Sequence, residues 1–213
     1  MYERHEKANP LHISPARKML AKWLEPHKKQ INKILEIGAR DGVALSFLVN
    51  ELDADGYGIE PSSKAINAWK NKFSHECEGA NRIKLKKGVS SYLPYDEESF
   101  DLVLFGFCLY LVDRKMLFRS ISEADRVLKS SKFLAIEDFD PSKIIKNDYK
   151  HHSGMFSYKQ DHSQIFLASN HYALVNKYSY PENGGNKSNF YFQPDINSRV
   201  SISLLFKQDN IIY

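Results

Sequence analysis

A short glycine-containing turn follows the first predicted buried strand of this chain. The strand and turn read Glu36-Ile37-Gly38-Ala39-Arg40-Asp41-Gly42. Glycine lets the backbone turn tightly and approach a ligand closely, and the helix that follows offers unpaired N–H groups. In open α/β sheets, ligands bind beyond the carboxyl ends of the strands. The turn therefore predicts a ligand site at this strand end, although turn glycines also occur without one.

A second predicted strand ends in an acidic residue. Glu60 lies 22 residues after Gly38 and is followed by Pro61 and Ser62. An acidic side chain at this place accepts hydrogen bonds from ribose hydroxyls, unless it is merely a surface acid. A dinucleotide fingerprint is excluded because Arg40 and Val43 occupy its later glycine positions, and no phosphate-binding P-loop is present. The pattern predicts a nucleoside-like ligand with little phosphate.

Predicted strands and helices alternate through the first two thirds of the chain. A helix from Ser14 to Lys29, with Ser14 as N-cap and Pro15 at its first position, precedes the first strand. Apolar strands alternating with helices indicate a parallel sheet covered on both faces. The predicted strands are Ile34 to Ile37, Tyr57 to Glu60, Arg82 to Leu85, Phe100 to Phe105 and Phe133 to Ile136, with a closing pair at Tyr172 to Tyr180 and Val200 to Phe206.

These motifs resemble those of the class I S-adenosylmethionine-dependent methyltransferases, from about Lys33 to Asp138. The Glu36 to Gly42 turn is similar to the first motif of that family, and the segment from Gly58 to Ser62 to its second. The loop from Gly88 to Tyr95 resembles the loop beside adenine, and Ser99-Phe100-Asp101-Leu102-Val103 the family's fourth strand. The resemblance implies an α/β fold, a Rossmann-like three-layer sandwich whose mostly parallel, seven-stranded sheet ends in a C-terminal antiparallel hairpin.

The resemblance also implies S-adenosylmethionine as cofactor and S-adenosylhomocysteine as product. Two departures from the family pattern stand out: Arg40 replaces the middle glycine and crowds the methionine side, and Val89 replaces the acid of the adenine loop. Ser90 or Ser91 could take that polar role. The residues expected to bind the cofactor are Glu36, Gly38, Ala39, Arg40, Gly42, Glu60, Pro61, Ser62, Ser90, Ser91, Phe105 and Phe107.

The acceptor of the methyl group is expected beyond the fourth and fifth strands. His151 and His152 are candidates for a general base, because imidazoles titrate near neutral pH. Tyr110, Tyr158 and Lys159 are candidates to bind a polar or anionic acceptor. The alternative is a solvated loop with incidental histidines. No metal is expected, although Glu137, Asp138 and Asp140 are acidic neighbours, and the motifs of DNA amine and cytosine C5 methyltransferases are absent.

Bulk composition narrows the remaining choices. The chain has 213 residues, a formal charge of +4 and two cysteines, and we expect a single domain in the cytoplasm. Within it, residues 1–31 would form a helical cap, 32–138 the cofactor-binding core and 139–213 the acceptor side. We expect no membrane segment, a monomer or homodimer, and a small-molecule acceptor such as a sugar or sugar nucleotide. A non-catalytic cofactor-binding partner and an RNA methyltransferase using the basic stretch Arg82 to Lys87 remain alternatives.

Overall fold

Seven strands form one sheet in the computed structural model, which describes residues 13–149, 154–181 and 198–209. The strands are β1 (Lys33–Ile37), β2 (Asp55–Glu60), β3 (Ile83–Lys87), β4 (Phe100–Gly106), β5 (Leu128–Phe139), β8 (Tyr172–Pro181) and β9 (Arg199–Lys207), numbered along the chain together with two further strands, β6 and β7, described below. Their order in the sheet is β3-β2-β1-β4-β5-β9-β8. Neighbours from β3 to β5 in this order are parallel, whereas β9 runs antiparallel to both β5 and β8. This confirms the predicted fold class.

Helices cover both faces of the sheet. Leu20, Leu48 and Trp69 belong to the apolar cluster on one face, whereas Leu117 and Phe166 belong to the cluster on the other. No helix among the described residues is long and apolar enough to cross a membrane. The helices are α1 (Pro15–Leu24), α2 (Val43–Leu52), α3 (Ser63–Ala68), α4 (Ser74–Glu76), α5 (Arg114–Val127) and α6 (Ser163–Leu167), and a π-helical segment (Trp69–Phe73) joins α3 to α4.

The first helix begins as predicted but ends earlier. The Ser14 hydroxyl accepts a hydrogen bond from the Arg17 N–H, and α1 ends at Leu24 rather than at Lys29. Pro26 follows, and because proline lacks an N–H it cannot donate the next hydrogen bond of an α-helix, so the chain continues as a 3₁₀ helix over Glu25–Gln30.

The region after β5 contains structure that the sequence pattern did not reveal. Strands β6 (Ile145–Asp148) and β7 (Phe156–Lys159) form a separate antiparallel pair, and α6 follows. Both strands have only four residues and mix apolar with polar and charged side chains, so they lack the apolar run by which the sheet strands were identified. Strand β7 contacts the 3₁₀ turn Leu109–Leu111 after β4, so this pair lies beside the carboxyl end of the sheet.

Candidate active site

The turn after β1 fits tightly against the loop that follows β4. Gly38 has a φ of 80°, and a Cβ atom there would lie 2.7 Å from the Cys108 Cβ. The N–H groups of Gly38 and Ala39 both donate to the Ile59 carbonyl, at 2.8 and 3.1 Å, which ties the turn to β2. Glycine is therefore required at position 38, both for the backbone angle and for the space.

Arg40 adopts a left-handed backbone in this turn although it is not glycine. Its φ is 52°, and its N–H donates to Glu60 Oε2 at 2.9 Å. The guanidinium Nε lies 3.5 Å from Asp41 Oδ2, and the side chain is 43% exposed. The Arg40 side chain thus extends toward solvent beside Asp41 and is not among the residues that line the cavity described below. Gly42, with φ 72°, is the N-cap of α2, and a Cβ atom there would collide with the Trp69 ring.

Glu60 is buried at the carboxyl end of β2 and is held by backbone amides. Its Oε1 accepts from the Ser62 N–H at 2.8 Å, and its Oε2 accepts from Arg40. The Ser62 hydroxyl in turn caps α3 by accepting from the Ala65 N–H at 3.3 Å. Each carboxylate oxygen can accept more than one hydrogen bond, so this fixed carboxylate can also receive hydroxyl donors from a ligand.

A cavity of about 280 Å³ lies between the β1 turn and the loop after β3. Of the predicted cofactor residues, Gly38, Pro61, Ser90 and Ser91 line it. Most of the wall is apolar, which suits a flat ring system. The remaining lining residues are Ile37, Ile59, Gly88, Val89, Cys108, Leu111, Val112, Asp113 and Met116.

The Cys108 thiol is a wall group and not a nucleophile. Burial, together with the carboxylates of Asp138, Glu36 and Glu60, raises the pKa of Cys108 well above its usual value. The thiol donates to the Ile37 carbonyl at 3.2 Å. It is therefore protonated at neutral pH, as expected of a small packing residue.

Three buried charged side chains meet beneath the other side of the β1 turn. Arg17 of α1 donates to Glu36 Oε1 through Nη2 and to Glu137 Oε2 through Nε, each at 2.5 Å. Burial lowers the pKa of Arg17, but the two carboxylates outweigh that effect and raise it. Burial also raises the pKa of Glu36 against the opposing effect of Arg17. The cluster of one cation and two acids joins α1 to the ends of β1 and β5.

Two polar atoms of this cluster have no hydrogen-bond partner among the described residues. They are Arg17 Nη1, a donor, and Glu36 Oε2, an acceptor, and both are buried. Buried polar atoms are normally paired, so a donor and an acceptor left open together fit a ligand that carries both an anion and a cation. A Cβ at Gly106 would collide with the Glu36 carboxylate and lie 2.9 Å from Arg17 Nη2, so glycine at the end of β4 makes room for this ion pair.

No sequence motif pointed to Arg17 as a site residue. The available signal was its spacing: Arg17, Leu20 and Leu24 recur on one face of α1, and that face is buried. A charged residue on a buried helix face requires a charged or polar partner.

Aromatic rings gather at the ends of β4 and β5. The Phe107 ring centroid lies 5.3 Å from that of Tyr110 and 4.9 Å from that of Phe139, and Tyr110 and Phe139 are 4.9 Å apart. The Lys159 Nζ lies 3.7 Å from the Phe139 ring centroid. Three predicted site residues, Phe107, Tyr110 and Lys159, are thus brought together around Phe139.

The other predicted residues lie elsewhere. Tyr158 stacks under the Arg114 guanidinium at 4.3 Å. Phe105 is fully buried in the core near Phe166, at 6.3 Å between ring centroids, and does not line the cavity. His151 and His152 lie outside the described residues. Within the described ranges, no group of three or more His, Cys, Asp or Glu side chains is arranged to hold a metal.

A buried acid and a buried histidine underlie the β4 loop. Asp138 Oδ2 accepts from the Tyr110 N–H at 3.0 Å, and desolvation raises the pKa of Asp138 to about 7. The His162 Nδ1 lies 3.8 Å from Asp138 Oδ2, too far for a hydrogen bond, and neither ring nitrogen has a partner in the described part of the chain. Burial lowers the pKa of His162 to about 3. No sequence motif pointed to His162.

Comparison with known proteins identifies the domain. Residues 34–131 match the family described as "Methyltransferase domain". A curated relative, demethylmenaquinone methyltransferase of Lactobacillus johnsonii, is 26% identical over 130 residues, which are 49% of this chain and 50% of that protein. The chain thus spans about half the length of that relative.

Solved structures with the same fold cover nearly the whole chain. The crystal structure of MccD protein has a TM-score of 0.67 at 15% identity and covers 92% of this chain and 99% of that one. The 1,6-didemethyltoxoflavin-N1-methyltransferase of Burkholderia thailandensis, solved with 1,6-didemethyltoxoflavin and S-adenosylhomocysteine, has a TM-score of 0.67 at 15% identity and covers 92% of this chain and 79% of that one. The matched domain is a methyltransferase domain, and the fold is that of solved S-adenosylmethionine-dependent methyltransferases, so the domain implies S-adenosylmethionine as the cofactor.

Proposed function

We propose that this protein binds S-adenosylmethionine across the turn after β1 and transfers its methyl group to a small molecule. The observation that carries the proposal is the pair of binding features on either side of Gly38. On one side lie the apolar cavity and the fixed carboxylate of Glu60. On the other side lie the open donor of Arg17 and the open acceptor of Glu36.

The adenosine end of the cofactor fits the first side. Ile59, Val89 and Leu111 supply apolar contacts for a ring in the cavity, and Ser90 and Ser91 are polar groups at its edge. Glu60 is the residue that would accept from the ribose hydroxyls, since backbone amides already hold its carboxylate in place. A carboxylate that does not reorganise on binding loses little entropy, which favours affinity.

The amino-acid end fits the second side. This end carries a carboxylate and an ammonium group, which match the open Arg17 Nη1 donor and the open Glu36 Oε2 acceptor. Glu137 keeps the Arg17 side chain in position through Nε, as does Glu36 through Nη2. Charge-assisted bonds at a buried site are stronger than bonds between neutral groups, so this pair should contribute most of the discrimination for the amino-acid end.

When bound, S-adenosylmethionine supplies a methyl group that is activated by the positive charge on its sulfur, and the sulfur leaves as S-adenosylhomocysteine when the acceptor takes the methyl group. The part left to this chain is to hold the acceptor in line and to keep water out. Phe107, Tyr110 and Phe139 form an apolar wall that suits this role. If the acceptor must lose a proton, His151 or His152 is the proposed base, because imidazole titrates near neutral pH.

We propose a small acceptor that carries a polar or anionic group, of which a sugar or sugar nucleotide is one example. Positive charge lies next to aromatic rings on the proposed acceptor side: Lys159 contacts the Phe139 ring, and Arg114 lies over the Tyr158 ring. Such a combination favours a flat or apolar body with an anionic substituent. The named relatives act, by their names, on demethylmenaquinone and on 1,6-didemethyltoxoflavin, which are also small molecules.

The proposal is tested by measuring product formation. Purified protein is incubated with S-adenosylmethionine and a panel of sugar nucleotides, quinols, small aromatic acids and RNA, and the release of S-adenosylhomocysteine is followed. We expect release with one of the small molecules and none with RNA. Replacing His151 or His152 by Ala should slow turnover without weakening cofactor binding; unchanged turnover in both variants would remove the catalytic role of the histidines. Turnover on RNA alone would overturn the proposed acceptor class.

A further inference from the structure

One face of α5 is bonded to the loop that walls the adenine side of the cavity. Ser120, Glu123 and Arg126 recur at intervals of three residues and share that face, whereas Leu117 and Ala124 pack into the core. We refer to Ser120, Glu123 and Arg126 as the α5 clamp, and to residues Gly88 to Tyr95 as the adenine loop. None of the three clamp residues lines the cavity.

Arg126 binds the far half of the adenine loop through its backbone. Its Nη1 donates to the Tyr95 carbonyl at 2.8 Å, and its Nη2 donates to the Leu93 carbonyl at 3.1 Å. A planar guanidinium can reach two carbonyls and a carboxylate at once, which a lysine ammonium on a flexible chain cannot do with the same geometry.

Glu123 closes the network from the other direction. Its Oε2 accepts from the Leu93 N–H at 2.7 Å, and its two oxygens accept from Arg126 Nη2 and Nε at 2.9 and 2.8 Å. The hydrogen bonds from Arg126 lower the pKa of Glu123, so it is ionised at neutral pH. Leu93 is thus held at both its N–H and its carbonyl.

Ser120 extends the clamp to the cavity wall. Its hydroxyl lies 2.8 Å from that of Ser90, a lining residue. At the start of the loop, the Gly88 N–H donates to the Glu60 carbonyl at 3.2 Å, and Glu60 is the proposed ribose carboxylate. The loop is therefore fixed at one end by the ribose site and along its length by α5.

We infer that the α5 clamp is a positioning element that sets cofactor affinity by holding the adenine loop in its binding conformation. This inference rests on the proposed function and adds residues that act on the cofactor only through the loop. If the loop is in that conformation for a fraction of the time, the observed dissociation constant rises by the inverse of that fraction. The clamp raises the fraction, and its loss lowers affinity without removing any contact to the ligand.

The test compares two ligands and two arginines on the same helix. Arg126→Met removes the clamp bonds, and Arg119→Met removes an exposed arginine of α5 as the matched control. S-adenosylhomocysteine and 5′-methylthioadenosine are titrated calorimetrically, and the melting temperature of each variant is measured. We expect Arg126→Met to weaken both ligands by the same factor, on the order of tenfold. Arg126→Lys should recover part of the loss, and Arg119→Met should leave both affinities unchanged.

The outcomes separate this inference from the proposed function. Failure of the wild-type protein to bind S-adenosylhomocysteine would contradict the proposed function itself. Wild-type binding together with unchanged affinity in Arg126→Met would overturn the clamp alone, and a lower melting temperature with the same affinities would assign Arg126 a purely structural role. Should Arg126→Met not fold, Glu123→Gln, which keeps the two Arg126 carbonyl bonds, provides the same comparison with a smaller expected loss.

Discussion

The two ends of the proposed cofactor site are built in opposite ways. The amino-acid end is charged and rigid, because Arg17, Glu36 and Glu137 are buried together at the meeting of α1, β1 and β5. The adenine end is mostly apolar, and its outer wall is a loop that depends on α5 for its position. One end therefore recognises charge and the other recognises shape, so a substitution at one end should leave recognition at the other unchanged.

Gly38 lies between the two ends, and its replacement should have the largest effect. Gly38→Ala combines an unfavourable φ of 80° with a clash against Cys108 in the cavity wall. We expect binding of both S-adenosylhomocysteine and 5′-methylthioadenosine to fall below detection by calorimetry. Gly154→Ala is the matched control, because its φ is 79° but a Cβ there meets nothing within 4 Å. Retained binding of either ligand in Gly38→Ala would show that the turn does not contact it.

Arg17→Lys should separate the two ends. The variant keeps the positive charge between Glu36 and Glu137 but loses the planar donor set, including the open Nη1 atom. We expect affinity for S-adenosylhomocysteine to fall by about ten- to a hundredfold, because one charge-assisted hydrogen bond contributes roughly 1.5–3 kcal/mol. Binding of 5′-methylthioadenosine, which lacks the amino-acid end, should not change. Equal losses for both ligands would contradict the division into two ends.

His162 belongs to neither end, and its replacement should change the pH dependence of the free energy of unfolding rather than the binding of the cofactor. Its pKa is lowered to about 3, mainly by burial, so the folded protein binds fewer protons than the unfolded chain between about pH 3 and 6.5. The free energy of unfolding therefore rises with pH in this window, and the stability that the neutral His162 contributes is lost as the pH falls. His162→Phe should lose less stability between neutral pH and about pH 4 than the wild-type protein does.

Asp138 contributes to the free energy of unfolding with the opposite pH dependence. Because burial raises its pKa to about 7, its own contribution to stability decreases as the pH rises from about 4 to 7. Urea unfolding of wild type, His162→Phe and Asp138→Asn across this range measures each contribution. An unchanged pH dependence in His162→Phe would mean that folding does not lower the pKa of His162.

Arg40→Gly should have the smallest effect. Arg40 adopts a φ of 52°, a conformation that costs about 1–2 kcal/mol for a residue with a Cβ, and its side chain points to Asp41 and solvent. Glycine should relieve the strain and leave the affinities for both ligands unchanged, because the Arg40 N–H still donates to Glu60. Thermal melting and calorimetry measure the two results. A loss of affinity confined to S-adenosylhomocysteine would mean that the guanidinium contacts the amino-acid end.

The sequence was sufficient for the sheet and for the backbone turns of the site. Apolar runs in β1 and β4 and glycine at positions 38 and 42 report local requirements, so they can be identified from neighbouring residues. The Arg17 cluster could not be predicted, since Arg17 and Glu137 are 120 residues apart and only the fold brings them together.

The clamp and the region after β5 were missed for a related reason. Arg126 bonds to backbone carbonyls of the adenine loop, and a backbone acceptor leaves no pattern of residue types in the sequence. The four-residue strands β6 and β7 give no periodic apolar signal. In both cases the information lies in tertiary packing rather than in local composition.

The central claim is most directly tested by calorimetric titration of S-adenosylhomocysteine into Glu60→Gln, with Asp55→Asn as control. Both substitutions remove one carboxylate from β2, but Asp55 is exposed at the opposite end of the strand. We predict that Glu60→Gln weakens binding by about ten- to a hundredfold, the value expected for lost charge-assisted bonds, and that Asp55→Asn binds like wild type. Equal affinities in Glu60→Gln and wild type would contradict a cofactor site at the end of β2.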